Sequence, residues 1–190
     1  MVVNRKIIED FIRRAYDTAC SHGFHDVKRS DEYYLMLVLS EIGEMVEADR
    51  KNSRANRDGF EKCVGLTWND RFRGYIKDTL EDELADIAIR IFDFCGTKGV
   101  NPMMTSKGVV DMSEEFVALF GKMSVCEQCF ALSCLVTGVS RGDDDVSTCM
   151  GYIIAFLFEF AAFHGIDLEW HIEQKMRYNE TRPKKHGKNY

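Results

Sequence analysis

Two pairs of carboxylates stand at helical spacing in this sequence. Glu41 and Glu44 are three residues apart within LSEIGEMVEA, and Glu83 and Asp86 are three apart within EDELADIAIR. Side chains at positions i and i+3 of an α-helix lie on one face, with Cβ atoms about 5–6 Å apart. Each pair therefore presents two acids side by side, and two such helices facing each other would enclose four carboxylates.

A hard divalent cation is the partner that these acids predict. Unpaired charges beside apolar helix stripes are costly unless something positive neutralises them. Mg²⁺ takes oxygen ligands and is commonly held by a few carboxylates together with the phosphates of a substrate. Either pair alone would favour a solvated helix face, because acidic pairs are common on exposed helices. Two pairs, each within an apolar repeat, favour a metal site.

The composition predicts a single, cytoplasmic domain over residues 1–190. The chain has 190 residues, 45% of them hydrophobic, which is enough for a sizeable core. Its formal charge of −6 argues against general nucleic-acid binding. The most apolar stretch, residues 150–163, contains Glu159 and is shorter than the roughly 20 residues that a membrane span needs. We expect a buried helix there, no membrane association and no secretory signal.

The cysteines favour a reducing compartment. There are seven, without regular spacing, which is not typical of a disulfide framework. Cys126 and Cys129 form a CxxC motif that could serve zinc binding or redox chemistry. No second pair accompanies it and it lies within a helical pattern, so we predict buried helical cysteines.

Apolar residues recur at helical spacing almost everywhere, which predicts an all-α fold: an antiparallel bundle of about five to six helices. The predicted helices are about residues 7–23, 31–51, 75–94, 113–139, 143–165 and 167–180. Asp31, Ser113 and Asp167 are the predicted N-caps, and Gly23 is a predicted C-cap. Residues 97–111 are predicted to form a surface loop. Residues 52–74 mix aromatic and polar side chains and are predicted to be an insertion over the mouth of the site.

The C-terminus is basic, although the rest of the chain is acidic. Residues 171–190 contain six lysines or arginines and two glutamates. Such a segment predicts an anionic ligand, with a solvated terminus as the alternative. Residues 181–190 form the most basic part, which we call the basic tail.

At this point the motifs resemble those of a known family. ExxE followed by ExxD is similar to the signature of the MazG-like, all-α nucleoside triphosphate pyrophosphohydrolases, and KMRYNETRPKKHGKNY resembles the C-terminal motif of MazG-like members. The resemblance covers about residues 31–93 and the last 20 residues. It implies a Mg²⁺-dependent enzyme that cleaves a nucleoside triphosphate to the monophosphate and pyrophosphate, with cleaning of the nucleotide pool as its role. The stretch between the acidic motifs is longer than in compact members.

The resemblance also implies roles for individual residues. It places Glu41, Glu44, Glu83 and Asp86 around Mg²⁺, or Mn²⁺ in its place, as the catalytic shell. The phosphate contacts that it implies are Lys175, Asn179 and Arg182, with Lys185 and His186 in the basic tail. Trp68 is a candidate for stacking on the base, and Glu41 is the favoured general base. Glu47 and Asp93 are expected outside the metal shell, and the remaining histidines are expected to serve packing or to lie at the surface.

Other functions remain open from the residues alone. One is a non-catalytic helical module that binds nucleotide or metal. Within the same superfamily, hydrolysis of dUTP or dCTP and of phosphoribosyl-ATP are further candidates. A di-iron carboxylate bundle is disfavoured, because such sites usually contain Glu-x-x-His on two helices and this chain has no ExxH motif. The family resemblance suggests a homodimer.

Overall fold

The described part of the chain, residues 4–105, 108–109, 114–142 and 144–187 of a computed structural model, is almost wholly α-helical. The helices are α1 (Arg5–Ser21), α2 (Asp31–Arg50), α3 (Arg57–Lys62), α4 (Trp68–Tyr75), α5 (Leu80–Lys98), α6 (Glu114–Phe120), α7 (Val125–Arg141), α8 (Val146–Phe163) and α9 (Leu168–Glu180). Two short strands, β1 (Met104–Thr105) and β2 (Gly108–Val109), pair in antiparallel fashion. A 3-10 turn spans Lys184–Gly187. The predicted all-α bundle is confirmed, with six long helices and three short ones among these residues.

Helix α5 is the centre of the bundle. It packs against α1, α2, α8 and α9. Leu84, Ile87, Ile91 and Phe94 follow one another at spacings of three and four, and all four side chains are fully buried. Burying a side chain of this size contributes about 1.5–3 kcal/mol relative to leaving it exposed. The apolar faces of α5 therefore anchor the helix, and its remaining polar face is held in a fixed position.

The caps of α5 determine where its acids lie. Thr79 is the N-cap, and its hydroxyl accepts a hydrogen bond from the backbone N–H of Asp82. The predicted start near Tyr75 is wrong, because residues 68–75 form the separate helix α4 and Asp78 has a φ of +60°. Gly99, with a φ of +64°, ends α5 in the left-handed conformation that glycine adopts most readily. Glu83 and Asp86 consequently lie in the first two turns.

Other predicted boundaries also change. Ser30, not Asp31, is the N-cap of α2. The single helix predicted over residues 113–139 is divided into α6 and α7, because Ser124 and Glu127 form a capping box that starts a new helix. The predicted N-cap Ser113 lies outside the described residues. Asp167 caps α9 as predicted.

The loop predicted over residues 97–111 is partly ordered into strands, and the buried helix predicted over residues 150–163 is present as α8. The surface loop predicted over residues 97–111 contains the two short strands, and Pro102 within it is buried. Helix α8 is long and apolar enough to cross a membrane by length and composition, yet 56% of it is buried inside the fold. Ile153, Phe156 and Phe160 of α8 belong to the main core. This agrees with the buried helix that the sequence predicts.

Residues 52–74 form two short helices that pack on α9. Phe60, Trp68, Phe72, Trp170 and Tyr178 make an aromatic cluster there. The rings of Phe72 and Tyr178 stack with centroids 4.6 Å apart, and those of Trp68 and Phe72 stack at 5.4 Å. Aromatic pairs at these separations contribute about 0.5–1.5 kcal/mol beyond their buried area. The cluster holds α3 and α4 against α9.

Candidate functional site

A cavity of about 210 Å³ lies between α1, α2, α5 and α9. One face of α5 lines its length, because Glu83, Asp86, Arg90 and Asp93 recur at spacings of three and four. The predicted site residues that line it are Glu41, Glu44, Glu83, Asp86, Lys175, Asn179, Arg182 and His186. Eight of the ten predicted side chains therefore surround one space.

Three of the four predicted metal ligands converge. Carboxylate oxygens of Glu41, Glu83 and Asp86 lie within 4.8 Å of one another, and Asp78, Asp82 and Glu83 form a second such group that shares Glu83. Glu41 and Glu83 are each only 4% exposed. Glu44 is exposed and lines the cavity outside both groups. The acids thus form a buried group of three with a fourth carboxylate at its edge.

Two cations are already bound to this acidic group. Arg90 donates from Nε and Nη2 to Oε1 of Glu41, at 3.0 and 2.8 Å. The ammonium of Lys175 lies 2.7 Å from Oδ2 of Asp82 and 2.6 Å from Oδ2 of Asp86. Lys175 is 4% exposed. Its placement between two carboxylates differs from the phosphate contact that the resemblance implies.

Glu83 is the buried acid of this group that has no such partner among the described residues. Its carboxylate has no hydrogen bond or ion pair to any other residue in the described ranges. Burial, reinforced by the nearby Asp86, raises the pKa of Glu83 to about 8. Burial likewise raises the pKa of Glu41, with Asp86 adding to the effect and Arg90 opposing it. The site therefore binds a proton near neutral pH in place of a cation.

The donor set fits a hard divalent cation. All the converging ligand atoms are carboxylate oxygens, which Mg²⁺ and Mn²⁺ prefer. Oδ1 of Asp82 is buried with no partner among the described residues, and burial raises the pKa of Asp82 to about 6 although Lys175 lies beside it. The unpartnered oxygen of Asp82 and the raised pKa of Glu83 both indicate a deficit of positive charge. Glu41, Glu83 and Asp86 are the residues that would hold the ion.

Mg²⁺ binding is expected to become tighter between about pH 6 and about pH 9, because the cation must displace the proton of Glu83. The pKa of Glu83 lies above its ordinary value of 4.5, so its contribution to metal-free stability is complete below pH 4.5 and is lost as pH rises through about 8. Thermal melts in EDTA and in Mg²⁺ across this range should diverge as pH rises. Glu83→Gln should remove most of the divergence. A Mg²⁺-induced shift that is independent of pH would contradict this assignment.

The basic tail folds back over the end of α1. The backbone N–H of Lys185 donates to the carbonyl oxygen of His22 at 2.8 Å, and Nζ of Lys184 lies 2.8 Å from Oδ2 of Asp26. His186 lines the cavity, with its ring 5.1 Å from that of Phe24. Arg182 and His186 of the described tail thus form part of the cavity wall, while Pro183 and Lys184 beside them are exposed.

Lys185 and Asn179 are both predicted to contact phosphate, but only Asn179 lines the cavity. Lys185 is half-buried, has a φ of +51° and does not line the cavity. Asn179 does line it and is 7% exposed, with an Oδ1 atom that has no partner among the described residues. A buried amide oxygen left unpaired costs about 1–3 kcal/mol. Asn179 is therefore a position where a ligand would supply the missing bond.

Trp68 does not line the cavity. It belongs to the aromatic cluster, where the guanidinium of Arg177 lies 4.4 Å from its ring centroid. No residue from 52 to 74 lines the cavity either, so the predicted insertion does not cover this site. The apolar lining comes mainly from α1 and the residues after it, with Ala15, Ala19 and Phe24.

No family model, curated protein or solved structure matches this chain. The all-α fold and the acidic groups able to bind a metal are structural facts that any proposed activity has to use.

Three residues in or beside this cavity are not identified by the sequence patterns. Arg90 lines the cavity and follows Asp86 by four residues, so the shared helix face is a signal present in the sequence. Asp82 stands one residue before Glu83, and its lysine partner is 93 residues away, beyond the reach of a local pattern. The sequence predicts packing or surface roles for His25, yet its Nε2 lies 2.7 Å from Oδ1 of Asp93, which lines the cavity.

Proposed function

We propose that this protein is a Mg²⁺-dependent nucleoside triphosphate pyrophosphohydrolase of the MazG-like type, cleaving between the α and β phosphates. The observation that carries the proposal is the convergence of the two acidic motifs with the C-terminal segment around one cavity. Residues from 41 to 182 contribute to it, and the acids that line it share the space with cationic side chains. Carboxylates can bind a metal ion and cationic side chains can bind phosphate oxygens. A cavity lined by both therefore suits a metal-bound polyphosphate.

The acids would divide into metal ligands and a group that acts on water. Glu41, Glu83 and Asp86 would hold Mg²⁺, which when bound would neutralise phosphoryl charge and lower the pKa of a coordinated water. Oε1 of Glu41 already accepts two bonds from Arg90. Glu44 lines the cavity outside the acidic groups, so we assign it, in place of Glu41, the task of orienting or deprotonating the attacking water.

The positive side chains would receive the phosphates. Six carboxylates and four cationic side chains line the cavity. Arg90 and Lys175 are bound to buried carboxylates and Lys77 pairs with Asp78, which leaves Arg182 as the cation best placed for the polyphosphate. Arginine recognises phosphate oxygens in a bidentate manner, so Arg182 is suited to the leaving pyrophosphate. Asn179 would bond to the same ligand through its unpaired amide oxygen or, with the amide turned, its NH₂ group.

The experiment is a substrate panel with product identification. Ribo-, deoxyribo- and modified nucleoside triphosphates are incubated with the protein in Mg²⁺, Mn²⁺, Ca²⁺ or EDTA, and the products are separated by chromatography. We expect monophosphate and pyrophosphate in Mg²⁺ or Mn²⁺, and little turnover in Ca²⁺, whose coordination is larger and more flexible. Nucleoside diphosphate and orthophosphate as first products would contradict the proposal. Tight binding without turnover would support a non-catalytic module instead.

A further inference from the structure

The end of the cavity remote from the acidic group has a different character. Asp93 lies seven residues after Asp86 on the same face of α5, which places it about 10 Å further along the helix axis. The apolar side chains that line the cavity are Ala15, Ala19, Phe24, Ile89 and Met176, and Thr18, Asn179 and His186 are its uncharged polar members. Ala15 and Ala19, one turn apart on α1, provide a wall without bulky side chains. This lining suits a flat and largely apolar group.

Asp93 is the acid of this end, and it is held in place. Nε2 of His25 lies 2.7 Å from its Oδ1, and Nδ1 of His25 lies 3.2 Å from the hydroxyl of Tyr34. The side chains of Asp93 and His25 are 13% and 12% exposed. The hydrogen bond to Asp93 raises the pKa of His25; burial raises the pKa of Asp93, while His25 and Arg90 oppose that rise. The hydrogen bond between them thus favours the charged form of each partner, against the burial of the pair.

One oxygen of Asp93 remains available. Oδ1 is bonded to His25, and Oδ2 has no hydrogen-bond partner in the part of the chain that the structure describes. An ionised carboxylate only accepts hydrogen bonds. A ligand group beside it must therefore donate, and a carbonyl oxygen in the same position would be repelled.

We infer that Asp93, positioned by His25, recognises an amino group on the base of the bound nucleotide, at C4 of a pyrimidine or C6 of a purine. This inference rests on the proposed function, since it requires phosphates at the acidic group and a base at the other end of the cavity. The separation of Asp93 from Asp86 is comparable with the reach from an α-phosphate to the far edge of a base. Acidic side chains also accept hydrogen bonds from the cytosine amino group in nucleic-acid complexes.

Asn179 gives independent support for a ligand in this space. Its side chain is more than nine-tenths buried, lines the same cavity and leaves Oδ1 without a partner among the described residues. Oδ1 of Asn179 and Oδ2 of Asp93 thus both lack a hydrogen-bond partner in the described part of the chain, and both residues line the one cavity.

The test compares substrates that differ only in amino and keto groups. For the wild-type protein, kcat/KM should favour CTP over UTP and ATP over ITP by about tenfold or more, because the keto analogue leaves the buried carboxylate unpaired. Asp93→Asn should bring both ratios close to one, since an amide can donate as well as accept. Asp17→Asn, on the exposed side of α1, is the matched control and should leave both ratios unchanged.

Three other results would each contradict the inference. Wild-type ratios near one overturn the inference even if Asp93→Asn fails to fold. Unchanged ratios in a folded Asp93→Asn protein would show that the His25 pair only ties α5 to the loop before α2. If the variant alters the ratio of ribo- to deoxyribonucleotides instead, the carboxylate contacts the sugar and the inference is wrong.

A binding experiment separates this inference from the proposed activity. Calorimetry with CTP and UTP in EDTA and in Ca²⁺ measures recognition without requiring turnover. Hydrolysis without amino selectivity would leave the proposed function standing and remove the role of Asp93. A different result is selective binding of CTP that is lost in Asp93→Asn, together with no hydrolysis in Mg²⁺. That result would retain the role of Asp93 and contradict the proposed enzymatic activity. If no nucleotide binds, both fail.

Discussion

Glu83→Gln is expected to lower nucleoside triphosphate hydrolysis by at least about 100-fold, because Glu83 belongs to both groups of converging carboxylates. The change removes one charge with almost no change in shape. It should not unfold the protein. Above about pH 8 the metal-free variant should be more stable than wild type, since the buried glutamine carries no charge that burial would penalise.

The measurements are kcat/KM at saturating Mg²⁺, Mg²⁺ affinity by calorimetry and thermal melting in EDTA. Glu9→Gln on the exposed surface of α1 makes the same chemical change away from the cavity and should alter none of them. Glu44→Gln gives a second comparison: it should lower kcat while retaining most of the Mg²⁺ affinity, because Glu44 lies outside the converging group. Near wild-type turnover in Glu83→Gln would remove the metal site from the mechanism.

Lys175→Met is expected to destabilise the protein by about 3–5 kcal/mol, the typical cost of leaving a buried charge without its partner. Asp82 is 1% exposed, and Lys175 is its ion-pair partner among the described residues. Burial opposes the charge of Lys175, but Asp86 and Asp82 together raise the pKa of its ammonium group. The loss should be smaller below about pH 5 than at pH 8, because Asp82 can then take up a proton.

Urea unfolding at both pH values measures the effect of Lys175→Met, and a double-mutant cycle assigns its cause. Lys175→Met combined with Asp82→Asn should recover a large part of the lost stability, since no buried charge at position 82 is then left alone. Glu173→Gln on the same helix is a control whose side chain pairs with Arg14 at a more exposed position. A stability of Lys175→Met within about 0.5 kcal/mol of wild type, the range of ordinary surface substitutions, would mean that Lys175 is free to bind substrate.

The two long-range ion pairs show why the cavity could be predicted only in part. Glu41, Glu44, Glu83 and Asp86 were identified because helical periodicity is a local property, set by residues three and four apart. Arg90 is 49 residues from its partner Glu41, and Lys175 is 93 from Asp82. Which cation neutralises which carboxylate depends on how α2 and α9 pack on α5, and no local pattern encodes that packing.

The aromatic residues likewise show the difference between what local sequence predicts and what packing determines. The sequence predicts Trp68 as a candidate for stacking on a base, since ring type is all that composition reveals, and Phe60 and Phe72 nearby carry the same signal. In the structure these rings pack against Tyr178 and Trp170, and the cavity is lined by small residues of α1. A ring can bury its area against protein or ligand equally well, so only the tertiary arrangement decides between the two.

Local sequence signals are sufficient to predict the all-α class, most of the long helices, the helix that Asp167 caps and the two acidic pairs. These depend on periodicity and caps, whose hydrogen bonds form within a few residues. Packing of distant segments, which local signals do not encode, leaves Glu83 without a partner among the described residues, places Lys175 between two carboxylates and pairs Asp93 with His25. Burial and ion pairing are properties of surfaces brought together from distant parts of the chain, and they set the protonation and charge on which the chemistry of this cavity depends.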